Sequence, residues 1–158
     1  MLPPPEGWRL TGQVNKPDRT GADFLPKQRS IPERMWVTIT NRPEIMSQSM
    51  DQLLQSFRPI FICQSKDMKV LSEDANEALF EESDAVCYGR TYRYTIARVV
   101  RGKSNVSIFV YRADVHVLPG DRRDWVLKTL SAAPLDKAPL PTQAVAQNNS
   151  APSAAASP

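Results

Sequence analysis

The sequence predicts an α+β domain, a single antiparallel sheet with two main helices packed on one face, followed by a disordered C-terminal tail. Strand-like segments fall into two groups, each followed by an apolar stripe of helical period, an order that favours an antiparallel sheet. Arg101-Gly102-Lys103-Ser104 joins two apolar strands through a tight glycine-bearing connection, a hairpin signal. Beyond Lys137 the chain is almost wholly Ala, Pro, Ser, Gln and Asn, too poor in large apolar side chains to offset the entropy of ordering it.

The first strand is read at Gly7 to Val14, with Trp8, Leu10 and Val14 on one period-2 face. Asn15 to Gly21 is rich in turn residues, Asp23-Phe24-Leu25 is short, and Pro26 and Pro32 bracket an irregular stretch. Trp36 to Thr40 is aromatic and β-branched, a strand closed by Asn41-Arg42-Pro43. Met50, Leu53, Leu54 and Phe57 then make one helical stripe. Ser49 and Gln52 have the capping-box form that satisfies two orphan amides, and Pro59 ends the helix. Lys69-Val70-Leu71 reads as a short strand, and the acidic surroundings of Ala78-Leu79-Phe80 as strand or loop. Thr91 to Val100 alternates in character, while Asn105 to Val117 is apolar on both faces, as a central strand is. The last helix follows Pro119-Gly120, with Asp121 as N-cap, a stripe of Val126, Leu127, Leu130 and Ala133, and Pro134 as its stop. Trp36, Leu54, Phe57, Ile108 and Leu127 are the expected core.

A chain of 158 residues with 41% hydrophobic and 23% charged residues suits a single domain. It divides into an N-terminal extension at 1–6, a globular domain at 7–136 and the tail at 137–158. No apolar run approaches the ~20 residues of a membrane span, and no basic-then-apolar leader pattern is present. The opening Met1-Leu2-Pro3-Pro4-Pro5 suits a cytoplasmic protein and a mature exported one equally. The net charge of +3 is unevenly placed. Ser72 to Asp84 holds six acids and no Lys or Arg, whereas Tyr88 to Leu130 holds nine bases against three acids.

The opening Gly7-Trp8, the run Phe24-Leu25-Pro26-Lys27-Gln28-Arg29-Ser30, Trp36 with Thr38 and Thr40, the two spaced cysteines, the Tyr-rich hairpin strand and the final Arg123-Asp124-Trp125 together carry a likeness. Over about residues 7–135 the chain is similar to a family of uncharacterised exported proteins of Gram-negative bacteria, and its layout resembles PsbP-type α+β domains. The resemblance implies a periplasmic domain and supplies no catalytic residues.

Cys63 and Cys87 are the only cysteines. In an oxidising compartment they would form a disulfide tying the end of the first helix to the sheet, a loop closure of about 3 kcal/mol in the chain-entropy picture. In a reducing one they would be two buried thiols acting as small hydrophobes. Two cysteines and one histidine are too few for a closed zinc site, so no metal is expected, nor any other cofactor. The single histidine, His116, is placed on one strand face with Asp114, and with Cys87 it would complete a nucleophile, base and orienter. The duller reading, a histidine at a sheet end bonded to backbone or water, is favoured. Glu81, Glu82 and Asp84 lack the glycine-centred spacing of a calcium loop and read as a solvated face. Tyr92 and Tyr94 alternate with Arg93 as in surfaces that stack single-stranded nucleic acid, but with Ile96 they share the apolar face, which disfavours nucleic acid. No phosphate-loop, dinucleotide, zincin or nucleophile-elbow motif occurs.

These readings favour a non-enzymatic interaction domain in a periplasm, binding a protein or envelope component, with an acidic partner suited to the basic surplus. The expected partner surface is Arg98, Arg101, Lys103, Arg122 and Arg123. A small enzyme using Cys87 and His116, and a basic nucleic-acid adaptor in the cytoplasm, are the alternatives. Removing residues 137–158 should leave the melting temperature unchanged. A fall of several degrees in a thermal melt would show that the tail docks.

Overall fold

The computed structural model describes residues 4–28, 31–57, 67–87 and 90–132; for 55–57, 67, 84–87 and 90–92 it describes the backbone alone. The tail at 137–158 and Cys63 therefore lie outside the described residues, as do the side chains of Phe57 and Cys87. The elements are β1 (Trp8–Lys16), β2 (Arg19–Pro26), β3 (Glu33–Thr40), α1 (Pro43–Met46), α2 (Met50–Phe57), β4 (Asp67–Glu73), β5 (Glu77–Cys87), β6 (Arg90–Arg101), β7 (Val106–Ala113) and α3 (Gly120–Ala132).

The strands make one seven-stranded sheet in the order β1-β2-β3-β7-β6-β5-β4. Every neighbouring pair is antiparallel. Two meanders, β1 to β3 and β4 to β7, thus meet along a seam between β3 and β7. The chain leaves the sheet at the seam after β3, passes through α1 and α2, and re-enters at the far edge as β4.

Local chemistry explains several boundaries. The Pro17-Asp18 turn of the first hairpin is pinned to the end of β3. Thr40 Oγ1 donates to the Asp18 carbonyl at 3.0 Å and Arg42 Nε to its carboxylate at 2.7 Å. The guanidinium bonded to it holds the Asp18 carboxyl below the usual carboxylate range. A bulge between Leu10 and Gly12 shifts the β1 register. Val14 consequently pairs with Gly21 and lies on the face opposite Trp8 and Leu10, not beside them as simple alternation predicts. At α2 the capping box forms, with Ser49 N donating to Gln52 Oε1 at 2.8 Å and Gln52 N to Ser49 Oγ at 3.2 Å.

Other boundaries differ from expectation. β2 reaches back through Thr20, and the acidic segment is an eleven-residue strand, β5. β7 stops at Ala113, whose cross-strand partners are Glu33 and Tyr94, the last residues of their ladders beside it. Asp114 N turns to the Pro32 carbonyl at 2.9 Å, so Asp114 and His116 lie in a loop rather than on a strand.

The two helices expected on one face are not found there. Among the described residues the fold is mostly sheet, with three short helices of 4, 8 and 13 residues. Along β6, Ile96 and Arg98 point to one face and Ala97 and Val99 to the other, following the two-residue period. Val126 and Leu130 of α3 pack with Trp8, Phe24, Met35, Val37, Ile96, Phe109 and Tyr111. Met50 and Leu53 of α2 pack with Ala78, Phe80, Ala97, Val99, Ile108 and Val110. The helices therefore cover opposite faces. The physical reason is the composition of β6 and β7, where Thr95 to Val100 and Val106 to Tyr111 are buried throughout. Strands apolar on both sides need cover on both. Of the expected core, Ile108 is buried, while Trp36, Leu54 and Leu127 are half-buried at its margins. Leu53, rather than Leu54, is the fully buried leucine of α2.

α3 carries only two fully buried side chains, Val126 and Leu130, and polar contacts complete its seating. Arg122 pairs with Glu33 of β3, with Nη2 to Oε1 at 2.5 Å and Nε to Oε2 at 3.1 Å. Arg123 pairs with Glu81 of β5 at 2.8 Å. At the other end Arg98 of β6 binds Glu77 bidentately, at 2.9 and 3.2 Å, and donates from Nη1 to the Leu130 and Ser131 carbonyls at 2.5 and 3.3 Å. These carbonyls end the helix and have no intrahelical partner, so the guanidinium both satisfies them and complements the helix dipole. Arg98 is 5% exposed. Removing one partner of a buried pair leaves the other charge uncompensated. Arg98→Ala should therefore cost about 3–5 kcal/mol in urea unfolding, and Arg98→Met with Glu77→Leu should recover most of it. A single-variant loss below ~1 kcal/mol would show that α3 is held by its apolar contacts alone.

Candidate functional site

The five cations expected to form a partner surface do not make a common exposed patch. Arg98, Arg122 and Arg123 are engaged beneath and beside α3 by Glu77, Glu33 and Glu81. Arg101 reaches across the sheet's other face, donating to the Met46 carbonyl at 2.8 Å and to the Gln48 carbonyl, and so holds the link between α1 and α2. Lys103, at the hairpin tip, is exposed. The acidic segment is the counterpart of the basic one. Paired as β5 and β6, they place Glu77 and Glu81 where arginines of β6 and α3 meet them. Reversing Arg101 to Glu would thus disturb the α1–α2 link before it tested any partner.

Of the Cys87–His116–Asp114 grouping, the side chains of the histidine and the aspartate are described. Arg93 stands between two of its members, with Nη1 2.9 Å from His116 Nε2 and Nε 3.3 Å from the Asp114 carboxylate. An arginine against Nε2 occupies the position from which a general base would act. His116 and Asp114 are both exposed, and the Cys87 side chain lies outside the described residues. Among the described residues no group of three or more His, Cys, Asp or Glu is arranged to hold a metal ion. No described helix is long and apolar enough to cross a membrane.

What the structure does build is a groove beside α3. It has a volume of about 660 Å³ and lies between the helix, the N-terminal segment and the sheet. Its floor is Phe24 of β2, Met35 and Val37 of β3 and Phe109 of β7, and its wall is Trp125 and Leu130 of α3. Pro4, Pro5 and Glu6 of the N-terminal segment and Lys128 and Thr129 of α3 complete the lining. The floor residues are only 3–6% exposed. A smaller depression of about 260 Å³ over β1 and β2, with Ala22 and Ile39 in its lining, shares Val37 with it.

The wall is fixed before anything binds. The Trp125 ring lies parallel to Trp8, centroids 6.0 Å apart and planes within 5°. Trp8 in turn meets Tyr111 edge-on at 6.3 Å. The Arg122 guanidinium lies 4.4 Å from the Trp125 centroid and 5.5 Å from that of Trp8, and Glu33 holds it there. Tyr111 Oη donates to Glu33 at 2.6 Å and Tyr94 Oη to Glu81 at 3.1 Å. A second polar feature lies on the opposite face, where Arg112 and Arg34 approach the Trp36 ring at 4.9 and 5.6 Å and Asp23 pairs with Arg34 at 2.7 Å. Its depression is only about 170 Å³.

The sequence reading passed over the groove, although one signal for it was present. This face carries seven large buried apolar residues from the strands, far more than Val126 and Leu130 can cover. The phenols of Tyr94 and Tyr111 are pushed above their ordinary 10.0, first by burial and then by the charge of Glu81 at Tyr94 and by the hydrogen bond to Glu33 at Tyr111. A phenol whose folded-state pKa is raised contributes stability that is fully present below about pH 10 and is lost as pH rises through the folded-state value. Urea unfolding followed across alkaline pH should therefore show stability declining above about pH 10, with a shallower decline in Tyr111→Phe. An identical slope in that variant would mean that Tyr111 ionises normally. Compared with known proteins, the chain matches no family model, no curated protein and no solved structure.

Proposed function

We propose that this protein is a non-enzymatic binding domain, exported to a Gram-negative periplasm, that takes an apolar component of the envelope into the groove beside α3. The carrying observation is the groove itself: an apolar-lined volume of about 660 Å³ between α3 and the sheet, with a wall oriented by Trp8 and Arg122. Binding sites for small apolar ligands have about 300–1,000 Å³ and a few polar groups at the rim, and this groove fits that description. The exported setting rests on the residue likeness of Gly7-Trp8, Phe24 to Ser30 and Arg123-Asp124-Trp125. Chemistry at Cys87 and His116 is disfavoured by Arg93 at the histidine nitrogen, and nucleic-acid binding by the pairing of the arginines within the fold.

Burying each methylene contributes about 0.8 kcal/mol, so ligands should bind more tightly as their chains lengthen. Nile red, a neutral apolar dye, should bind with one-to-one stoichiometry and a blue-shifted emission. Ala132→Trp, at an exposed position lining the groove, should weaken that binding about tenfold or more while leaving the melting curve in place. Equal dye binding by the two proteins, or none by either, would remove the groove as the site.

A further inference from the structure

The lining of the groove is mostly apolar and includes two exposed side chains of opposite charge. The charged side chains lining it are Glu6, at the N-terminal side, and Lys128, on α3. Both are exposed, and neither forms an ion pair among the described residues, in contrast to Arg122 and Arg123 on the same helix. Thr129 follows Lys128 in α3 and also lines the groove. The helix side of the groove therefore offers an ammonium and a hydroxyl, both donors, and the N-terminal side offers a carboxylate, an acceptor.

Resting on the reading of the groove as a binding site, we propose that its occupant is a single-chain zwitterionic amphiphile of the lysophospholipid class. Its acyl chain lies over Phe24, Val37 and Phe109, its phosphate meets Lys128 and Thr129, and its ammonium meets Glu6. Charge complementarity selects this head over the simpler ones. A fatty-acid carboxylate would satisfy Lys128 but place a like charge near Glu6, an alkylamine would do the reverse, and an uncharged sugar head would leave both ionic groups unmatched. The volume of about 660 Å³ lies within the range of sites that enclose one small ligand, which favours one chain over two.

The test is displacement of Nile red from the full chain by four amphiphiles with the same myristyl or myristoyl chain, each below its micelle concentration. They are lysophosphatidylethanolamine, myristate, myristylamine and myristyl maltoside. Lysophosphatidylethanolamine should bind about tenfold more tightly than each of the others. Lys128→Glu should remove that advantage while leaving the melting curve unchanged, and Glu6→Lys should move the preference towards myristate. Because both positions are exposed, these variants test the head and not the core. If the maltoside binds as tightly as the lysophospholipid, or if myristate or myristylamine binds more tightly, head recognition is overturned while the groove stands. If none of the four displaces the dye, the groove reading itself fails.

Discussion

The position of α3 is set by charge as much as by apolar contact, and the rest of the face follows from it. With Val126 and Leu130 as its only fully buried side chains, the helix could slide or tilt over a wide apolar sheet. Arg122 to Glu33 ties its first turn to β3, Arg123 to Glu81 ties the same turn to β5, and Arg98 with Glu77 holds its last carbonyls over β6. Anchors on both sides of the helix axis fix its direction. They also keep it over the centre of the sheet, so that β2 and β3 are left with a recess beside the helix instead of a packed interface. Two arginines in the first turn would ordinarily oppose the helix dipole. Here Glu33 and Glu81 of the sheet neutralise the two arginines, and Asp121 in the same turn adds a charge of the favourable sign.

This arrangement changes what the basic surplus means. A stretch with nine bases against three acids invites the idea of an external acidic partner. The fold answers part of that charge internally: β5, the immediate neighbour of β6, supplies Glu77 to Arg98 and Glu81 to Arg123, while Arg122 meets Glu33 of β3 and Arg93 meets Asp114. Glu81 alone accepts from Arg123 and Tyr94 and lies 3.9 Å from Lys69. Of the charged side chains that line the groove, Glu6 and Lys128 form no ion pair among the described residues.

The elements with strong local signals were legible in the sequence. The stripe and capping box of α2, the hairpin of β6 and β7, and the start of α3 near Pro119-Gly120 all have short-range causes. Polar strands were harder. β2 carries Arg19, Thr20, Gly21 and Asp23, and β5 carries Glu77, Glu81 and Glu82, compositions that read as turn or solvated loop until their partners are known. The side on which each helix lies was not legible, because it depends on the passage from β3 to the far edge rather than on any local pattern. The groove was hidden for a related reason: it is a difference between the breadth of a sheet face and the narrowness of a helix stripe, and no single residue announces it. The bulge at Leu10 and Gly12 likewise reverses the side of Val14 without a sequence cue beyond the glycine itself.

The seam between β3 and β7 has a kinetic consequence. All other strand pairs join neighbours along the chain, and hairpins of that kind form within microseconds. The seam joins Glu33 to Ala113 at one end and Thr40 to Val106 at the other, enclosing α1, α2 and three whole strands. Its closure must overcome the entropy of that long loop before any central contact rewards it. Folding should thus be limited by the meeting of two preformed meanders. Until they meet, β3 and β7 each present an open, apolar edge in the middle of what will become the sheet, which makes this the stage at which the chain is most exposed to pairing with another copy of itself.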